Sequence, residues 1–281
     1  MRSLNFDGKL PLLYLVATPI GNLDEVSPRT LSIIKEADLI ACEDTRVTSK
    51  LLNFFSISKP TISLREHNEV SEAENIVLKI KQGTKVVYMS DAGYPCISDP
   101  GSKLVKVALE NGINVSTISG PNAGLNALVA SGIDSDHFYF YGFLSPKDKE
   151  RKDELKKLAT REETIIFYEA PHRIGKTLKD MASILGNRKA CLARELTKRH
   201  EEYIRMNLEE LAQLDSETLI GEMVIIVEGA KLEAKKELSD KELIAIANKF
   251  IKAGLSAKDA IRETSKITGV NKNRVYDLIH K

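Results

Sequence analysis

Tryptophan is absent from this chain and cysteine nearly so, with three among 281 residues, at positions 42, 96 and 191. The cysteines are odd in number, far apart and free of any CxxC or Cys/His ligand spacing, which excludes a disulfide framework and a structural zinc site. Long apolar runs are missing as well. The longest near the start, Leu10 to Ala17, is interrupted by Pro11. It is too short for a membrane helix and lacks the basic flank and small-residue cleavage site of a signal peptide. No GxGxxG follows a strand, which disfavours a nicotinamide enzyme. These absences point to a reduced, cytoplasmic protein without metal.

What is present is enough apolar material for large cores, with 42% hydrophobic and 29% charged residues. The net charge of +1 hides an asymmetry. From Lys231 to Lys281 there are twelve Lys/Arg against seven Asp/Glu, so the preceding 230 residues carry a net charge of −4. A basic tail on a near-neutral body is compatible with a polyanionic partner, although a solvated helical face gives the same count.

The chain is organised around Val86 to Gly101, an apolar run that breaks into a Gly/Pro/Asp loop ahead of a helical pattern from Ser102 to Glu110. Ligands of open α/β sheets sit beyond the carboxyl ends of the strands, and this loop is longer than a βα connection requires. The same alternation recurs on both sides. Strands are expected at Leu12 to Ala17, Leu39 to Cys42, Thr61 to Leu64, Asn114 to Ile118 and Phe138 to Phe143. Helices open after Ser27-Pro28, at Thr48, at Glu69 and after Ser119 to Gly124. A mostly parallel sheet covered on both faces follows.

Lys147 to Leu158, KDKERKDELKKL, has few apolar residues and is expected to be an exposed lip. Beyond it, strands at Thr164 to Tyr168, Ala190 to Ala193 and Met223 to Val227, with a helix at Ile174 to Leu185, make a second α/β unit. The expected division is residues 1–144, 145–230 and 231–281, with the first boundary near Ser145. In the last segment Ser239, Ser256 and Asn271 read as N-caps and Gly254 and Gly269 as stops. Three short helices resembling a helix-turn-helix are expected there, as a nucleic-acid reader or a packing arm.

Ala170 to Thr177 imitates a P-loop in its last three residues, but alanine stands where the first glycine belongs and Pro171 removes an N–H that a phosphate cradle would use. Glu169, His172 and Arg173 form one polar cluster at a strand end, and Arg194 to Lys198 forms another. His67 lies in a comparable setting. The cations of these clusters suit an anionic substrate.

Taken together, TPIGN, EDTR, EHNE, DAGYPCISDPG, SGPNA, YEAPHR, RELTK and GEMVIIVEG are similar to the tetrapyrrole-methylase family. The resemblance is specifically to its ribosomal branch, the small-subunit rRNA 2′-O-ribose methyltransferases that act on a decoding-centre cytidine. It runs in order from about Leu12 to Lys281. The departure is Tyr94 and Cys96, where the family carries threonine and an aliphatic residue.

The resemblance implies two α/β domains with a cofactor cleft between them, a helical extension, a homodimer, and S-adenosylmethionine held largely by backbone groups. The implied donor positions are Pro19, Ser90, Asp91, Ala92, Ile97, Asn122, Ala123, Tyr168 and Leu196. A sugar hydroxyl is a poor nucleophile, and Glu43, Asp44, His67, His172 and Glu195 are all candidates to accept its proton. Arg46, Lys147, Arg151, Arg173 and Lys198 are assigned to phosphate positioning on rRNA or an assembled small subunit. Two other activities stay open: methylation of a small tetrapyrrole, and non-catalytic ribosome assembly.

Overall fold

The computed structural model describes residues 12–65, 68–231 and 238–280. Its first sheet has the order β3-β2-β4-β1-β5 and every pairing is parallel. The strands are β1 (Leu12–Val16), β2 (Leu39–Cys42), β3 (Thr61–Ser63), β4 (Val86–Met89) and β5 (Asn114–Ile118). All four residues of the central β4 are buried, as expected of a strand covered on both faces.

Helices α1 (Pro28–Glu36), α2 (Thr45–Phe54), α3 (Glu69–Lys81) and α4 (Ser102–Glu110) supply the cover. Their starts follow from side-chain caps. Ser27 Oγ accepts from the Thr30 N–H at 3.1 Å, and Asp44 Oδ1 from the Arg46 N–H at 2.8 Å. Leu13, Ile76, Tyr88 and Leu104 pack on one face of the sheet, and Ile34, Ile40, Leu52 and Met89 on the other.

Helix α5 (Ala123–Ser131) leaves β5 but packs on the second sheet, where Ala127 and Leu128 meet Ile166, Cys191, Ala193 and Ile226. That sheet contains β6 (Phe138–Phe143), β7 (Thr164–Glu169), β8 (Lys189–Arg194), β9 (Glu202–Asn207) and β10 (Met223–Val227) in the order β6-β7-β10-β8-β9. Only β6 and β7 run parallel. Its other face is closed by α6 (Asp148–Leu158), α7 (Ile174–Leu185) and α8 (Leu208–Leu211).

Three expectations are corrected. Sheet membership changes before Phe138, so β6 belongs with the second sheet although it precedes Ser145. Strand β9 was not anticipated. The charged segment at 147–158 is a packed helix: Leu155 and Leu158 enter the core and Arg151 is only 3% exposed.

The C-terminal unit is a separate compact body. It consists of α9 (Asp240–Lys252), α10 (Ala257–Thr268) and α11 (Lys272–Ile279), capped by Ser239, Ser256 and Asn271. Leu243, Ala247, Ala260, Ile261 and Val275 form its small core. Helix α11 leaves Lys272, Asn273, Arg274 and Tyr276 exposed. Among the described residues, no helix is long and apolar enough to cross a membrane.

Candidate functional site

The carboxyl ends of the first sheet and the edges of β7 and β10 enclose a cavity of about 300 Å³. Ala92 to Tyr94 and Ile97 to Asp99 line it from the β4–α4 loop, Ile20 from the first loop, and Asn122 and Ala123 from the start of α5. Phe143, Tyr168, Leu196, Met223 and Val224 form the opposite wall. The lining is chiefly apolar.

Tight contacts fix these loops. Thr18 and Gly93 exchange both backbone hydrogen bonds, the Thr18 hydroxyl donates to the Ser90 carbonyl at 3.1 Å, and Ser90 Oγ donates to the Gly93 carbonyl at 2.9 Å. Tyr94 Oη accepts from the Gly120 N–H, and Tyr168 Oη from the Gly124 N–H at 3.2 Å. At Gly21 a Cβ would stand 2.5 Å from Lys198 Cγ and 2.9 Å from Thr197 Oγ1, so glycine is what lets the first loop meet the loop after β8.

Backbone strain concentrates here. Five described non-glycine residues have positive φ, and four of them, Cys96, Ser98, Glu195 and Thr197, lie in the two loops that carry Ile97 and Leu196 to the cavity. Such conformations cost about 1–3 kcal/mol each and persist where the surroundings over-determine them.

The expected donor residues separate into two groups. Ala92, Ile97, Asn122, Ala123, Tyr168 and Leu196 line the cavity. Pro19, Ser90 and Asp91 instead border an adjoining recess of about 400 Å³ with Val47, Lys50 and Phe54. Within that group the Ser90 hydroxyl is turned into the loop, and Asp91 Oδ1 accepts from the Asp44 N–H at 3.1 Å.

The expected proton acceptors and cations do not converge. Arg46 holds the Asp44 carboxyl well below the usual carboxylate range, while Arg46 itself is exposed. Lys198 bridges Glu195 and Glu222 at 3.0 and 3.2 Å, and keeps Glu195 ionised below its ordinary range. His172 is exposed and outside the cavity lining. His67 lies outside the described residues. Glu43 is pushed up by burial and by Asp91.

Arg173 is bound to Glu169, which is 2% exposed and also accepts from the Ala170 N–H and the Thr177 hydroxyl. Arg151 is held by Asp180 and Asp148 in the interior. Lys147 is exposed and pairs with Glu150.

Sequence reasoning missed Tyr94, Asp99, Phe143 and Glu222 as lining residues. Asp99 is the most perturbed: burial, then Glu43 and Asp91, push its carboxyl up to about 7. A visible signal was the second aspartate in an overlong loop.

The family model for Tetrapyrrole (Corrin/Porphyrin) Methylases matches residues 12–212, the segment that supplies the first sheet, every strand of the second except β10, and most of the cavity lining. The chain belongs to the tetrapyrrole methylase family. Within this family it is 43% identical over 289 residues to "Ribosomal RNA small subunit methyltransferase I" of Bacillus subtilis, covering 99% of this chain and 98% of that protein. The protein of the same name from Pasteurella multocida is 44% identical over 269 residues, covering 94% and 95%. Sequence likeness at this level places the chain in the ribosomal branch of the tetrapyrrole methylases.

Solved structures share the fold. The methyltransferase CobJ superposes with a TM-score of 0.59 at 19% identity, covering 78% of this chain and 94% of that one. Diphthine synthase gives 0.58 at 14% identity, covering 77% and 89%. The shared fold accounts for the α/β body, and the C-terminal helical unit lies beyond residues 12–212 of the family model.

Proposed function

We propose that the chain transfers a methyl group from S-adenosylmethionine to the ribose 2′-hydroxyl of a cytidine in the decoding region of small-subunit rRNA. The observation that carries this reading is the cavity: six residues anticipated for the donor meet there, in a near-full-length relative of proteins named rRNA methyltransferases. Its composition fits the donor. Ile20, Ile97, Leu196 and Val224 offer apolar walls, and the first turn of α5 at Asn122 and Ala123 presents N–H groups suited to a carboxylate.

The donor, when bound, supplies an activated sulfonium methyl. The protein then has to align an acceptor hydroxyl with it, and alignment of this kind is worth effective molarities of about 10⁵ M or more in favourable cases. The strained loops that carry Ile97 and Leu196 to the cavity are the elements we assign to that alignment. Lys272, Arg274 and Tyr276 on the exposed side of α11 have the chemistry to contact phosphate and stack on unpaired bases. We further infer a cytoplasmic homodimer, in which the units on either side of the change of sheet before Phe138 act as the two domains of the cleft.

The test is transfer of a labelled methyl group to purified small subunits and to naked rRNA from cells lacking this protein, followed by nuclease mapping. A label at one ribose, resistant to alkaline cleavage there, is expected. Absence of label on both substrates, with the donor bound, overturns the reading. Truncation after Ala230 is expected to weaken RNA engagement and leave donor binding intact.

A further inference from the structure

The loop from Ser90 to Gly101 is pinned where it enters α4. Tyr88 Oη donates to the Pro100 carbonyl at 2.7 Å, and the buried Glu69 accepts from the N–H groups of Gly101 and Lys103 at 2.9 and 2.8 Å. Cys96 and Ser98, just ahead of that end, adopt positive φ. This course sets Asp99 on the cavity wall beside Ile97 and Ser98.

Asp99 differs from the other acids at the cleft. Glu169 is saturated by Arg173, Thr177 and a backbone N–H; Glu195 and Glu222 share Lys198; Asp44 holds Arg46. The Asp99 carboxylate has no hydrogen-bond or ion-pair partner among the described residues. The groups that act on it or feel its charge are Glu43 from the end of β2, Asp91 and Cys96 in its own loop, Tyr88 from β4 and Tyr168 from the far wall. No cation is among them. A partly desolvated, unpaired acid in a ligand cavity is unfavourable for stability, and that is the arrangement expected of a proton-transfer group.

We propose that Asp99 is the proton acceptor of the methyl transfer, its carboxylate taking the hydroxyl proton as the oxygen–carbon bond forms and the carbon–sulfur bond of the sulfonium breaks. The inference rests on the methyltransferase reading above. The balance closes without a further reactant: a hydroxyl and a sulfonium become a methyl ether, a thioether and one proton, and Asp99 later releases that proton to water. Raised by burial and by Glu43 and Asp91 to about 7, the carboxyl is near the value at which a base works best at neutral pH.

The full-length wild type, Asp99→Asn and Glu43→Gln are compared in three measurements. Calorimetry reads binding of S-adenosylmethionine and S-adenosylhomocysteine, labelled transfer to unmodified small subunits reads kcat across about pH 5 to 9, and infrared difference spectroscopy reads carboxyl protonation without substrate. Asp99→Asn is expected to keep its binding of the neutral thioether product S-adenosylhomocysteine and to lose about 10² to 10⁴ in kcat at saturating donor. The wild-type rate is expected to rise with pH along a limb that Asp99→Asn lacks. The infrared carboxyl signal that disappears in Asp99→Asn is expected to titrate at about 7.

Transfer by Asp99→Asn within about threefold of wild type overturns the proposal, since a base contributes far more. So does a pH limb that survives in Asp99→Asn, or one that vanishes in Glu43→Gln alone. A wild type that binds the donor and labels no subunit RNA overturns the reading of the reaction, and this inference with it. The infrared signal depends on neither substrate nor turnover, so a misfolded variant does not decide the matter: a wild-type protein with no carboxyl titrating between about 6 and 8 also overturns the proposal.

Discussion

Tyr94 Oη lies 3.1 Å from the Gly120 backbone nitrogen and accepts its hydrogen bond, tying the β4–α4 loop to the loop after β5. The two loops belong to strands on either side of β1, and both line the cavity. The tyrosine therefore acts as a clip. A neutral hydrogen bond of this kind contributes about 0.5–1.5 kcal/mol. Tyr94→Phe keeps the ring and removes the acceptor, so affinity for S-adenosylmethionine is expected to fall about 2- to 10-fold. Calorimetry checks the binding loss, and kcat at saturating donor is expected to stay within about twofold because no reacting atom is touched.

Arg151 and Lys147 sit four residues apart and have opposite fates. Arg151 Nε donates to Asp180 Oδ2 at 2.8 Å from an interior position, whereas Lys147 is exposed and its side chain pairs with its neighbour Glu150. Arg151→Ala leaves Asp180 with Lys152 as its remaining cation, 3.7 Å away, and the loss is expected to cost about 3–5 kcal/mol by chemical denaturation. The salt dependence of RNA binding by the folded variant is expected to be unchanged. If Lys147 contacts phosphate, Lys147→Ala leaves stability alone and lowers the slope of log affinity against log salt by about one.

The pattern of legibility follows from how far each cause lies along the chain. The first sheet was readable because its strands are apolar runs closed by loops, and because Ser27 and Asn122 announce their helices locally. Strand β9, EYIRMN, is an edge strand whose apolar residues do not alternate, so the pattern did not mark it. Arg151 read as solvated because its partner Asp180 is 29 residues away on α7. Asp99 escaped notice for the same reason: Glu43, one of the carboxylates that raises it, comes from the end of a different strand. The family motifs located the loops, but desolvation is a property of the packed cleft.

Gly101 links the loop to α4 with φ of +123°, and an added Cβ would fall inside van der Waals contact of Tyr88 Cε1 and 2.9 Å from Cys96 Sγ. Tyr88 is fully buried and its hydroxyl is tied to Pro100, so it cannot swing aside. Gly101→Ala combines an unfavourable backbone with overpacking and is expected to cost about 2–4 kcal/mol. Gly83→Ala is the control, because φ there is also positive and nothing lies within 4 Å. Its cost is expected to be about 1 kcal/mol, so the difference between the two denaturation midpoints isolates the packing against Tyr88.

Asp99 also makes a prediction about stability that is independent of turnover. Its folded pKa is about 7, well above the value of about 4 for an aspartate in an unfolded chain. Between these limits the native state binds more protons than the unfolded one, so stability falls as pH rises through the window. Above about pH 7 both states are ionised and the loss is complete. Asp99→Asn cannot ionise, so it escapes the loss: it is expected to match wild type near pH 4 and to exceed it near pH 8, in urea denaturation at both values. Because the carboxyl is only partly buried, solvent screening reduces the gain to about 1–2 kcal/mol. A variant that is more stable at pH 8 and slower in catalysis would place the destabilising charge and the working base on the same atom, the trade expected where a site is built against the preference of the fold. Equal stability of the two proteins at both pH values would mean that the Asp99 carboxyl is solvated in the free protein, which overturns its assignment as the base.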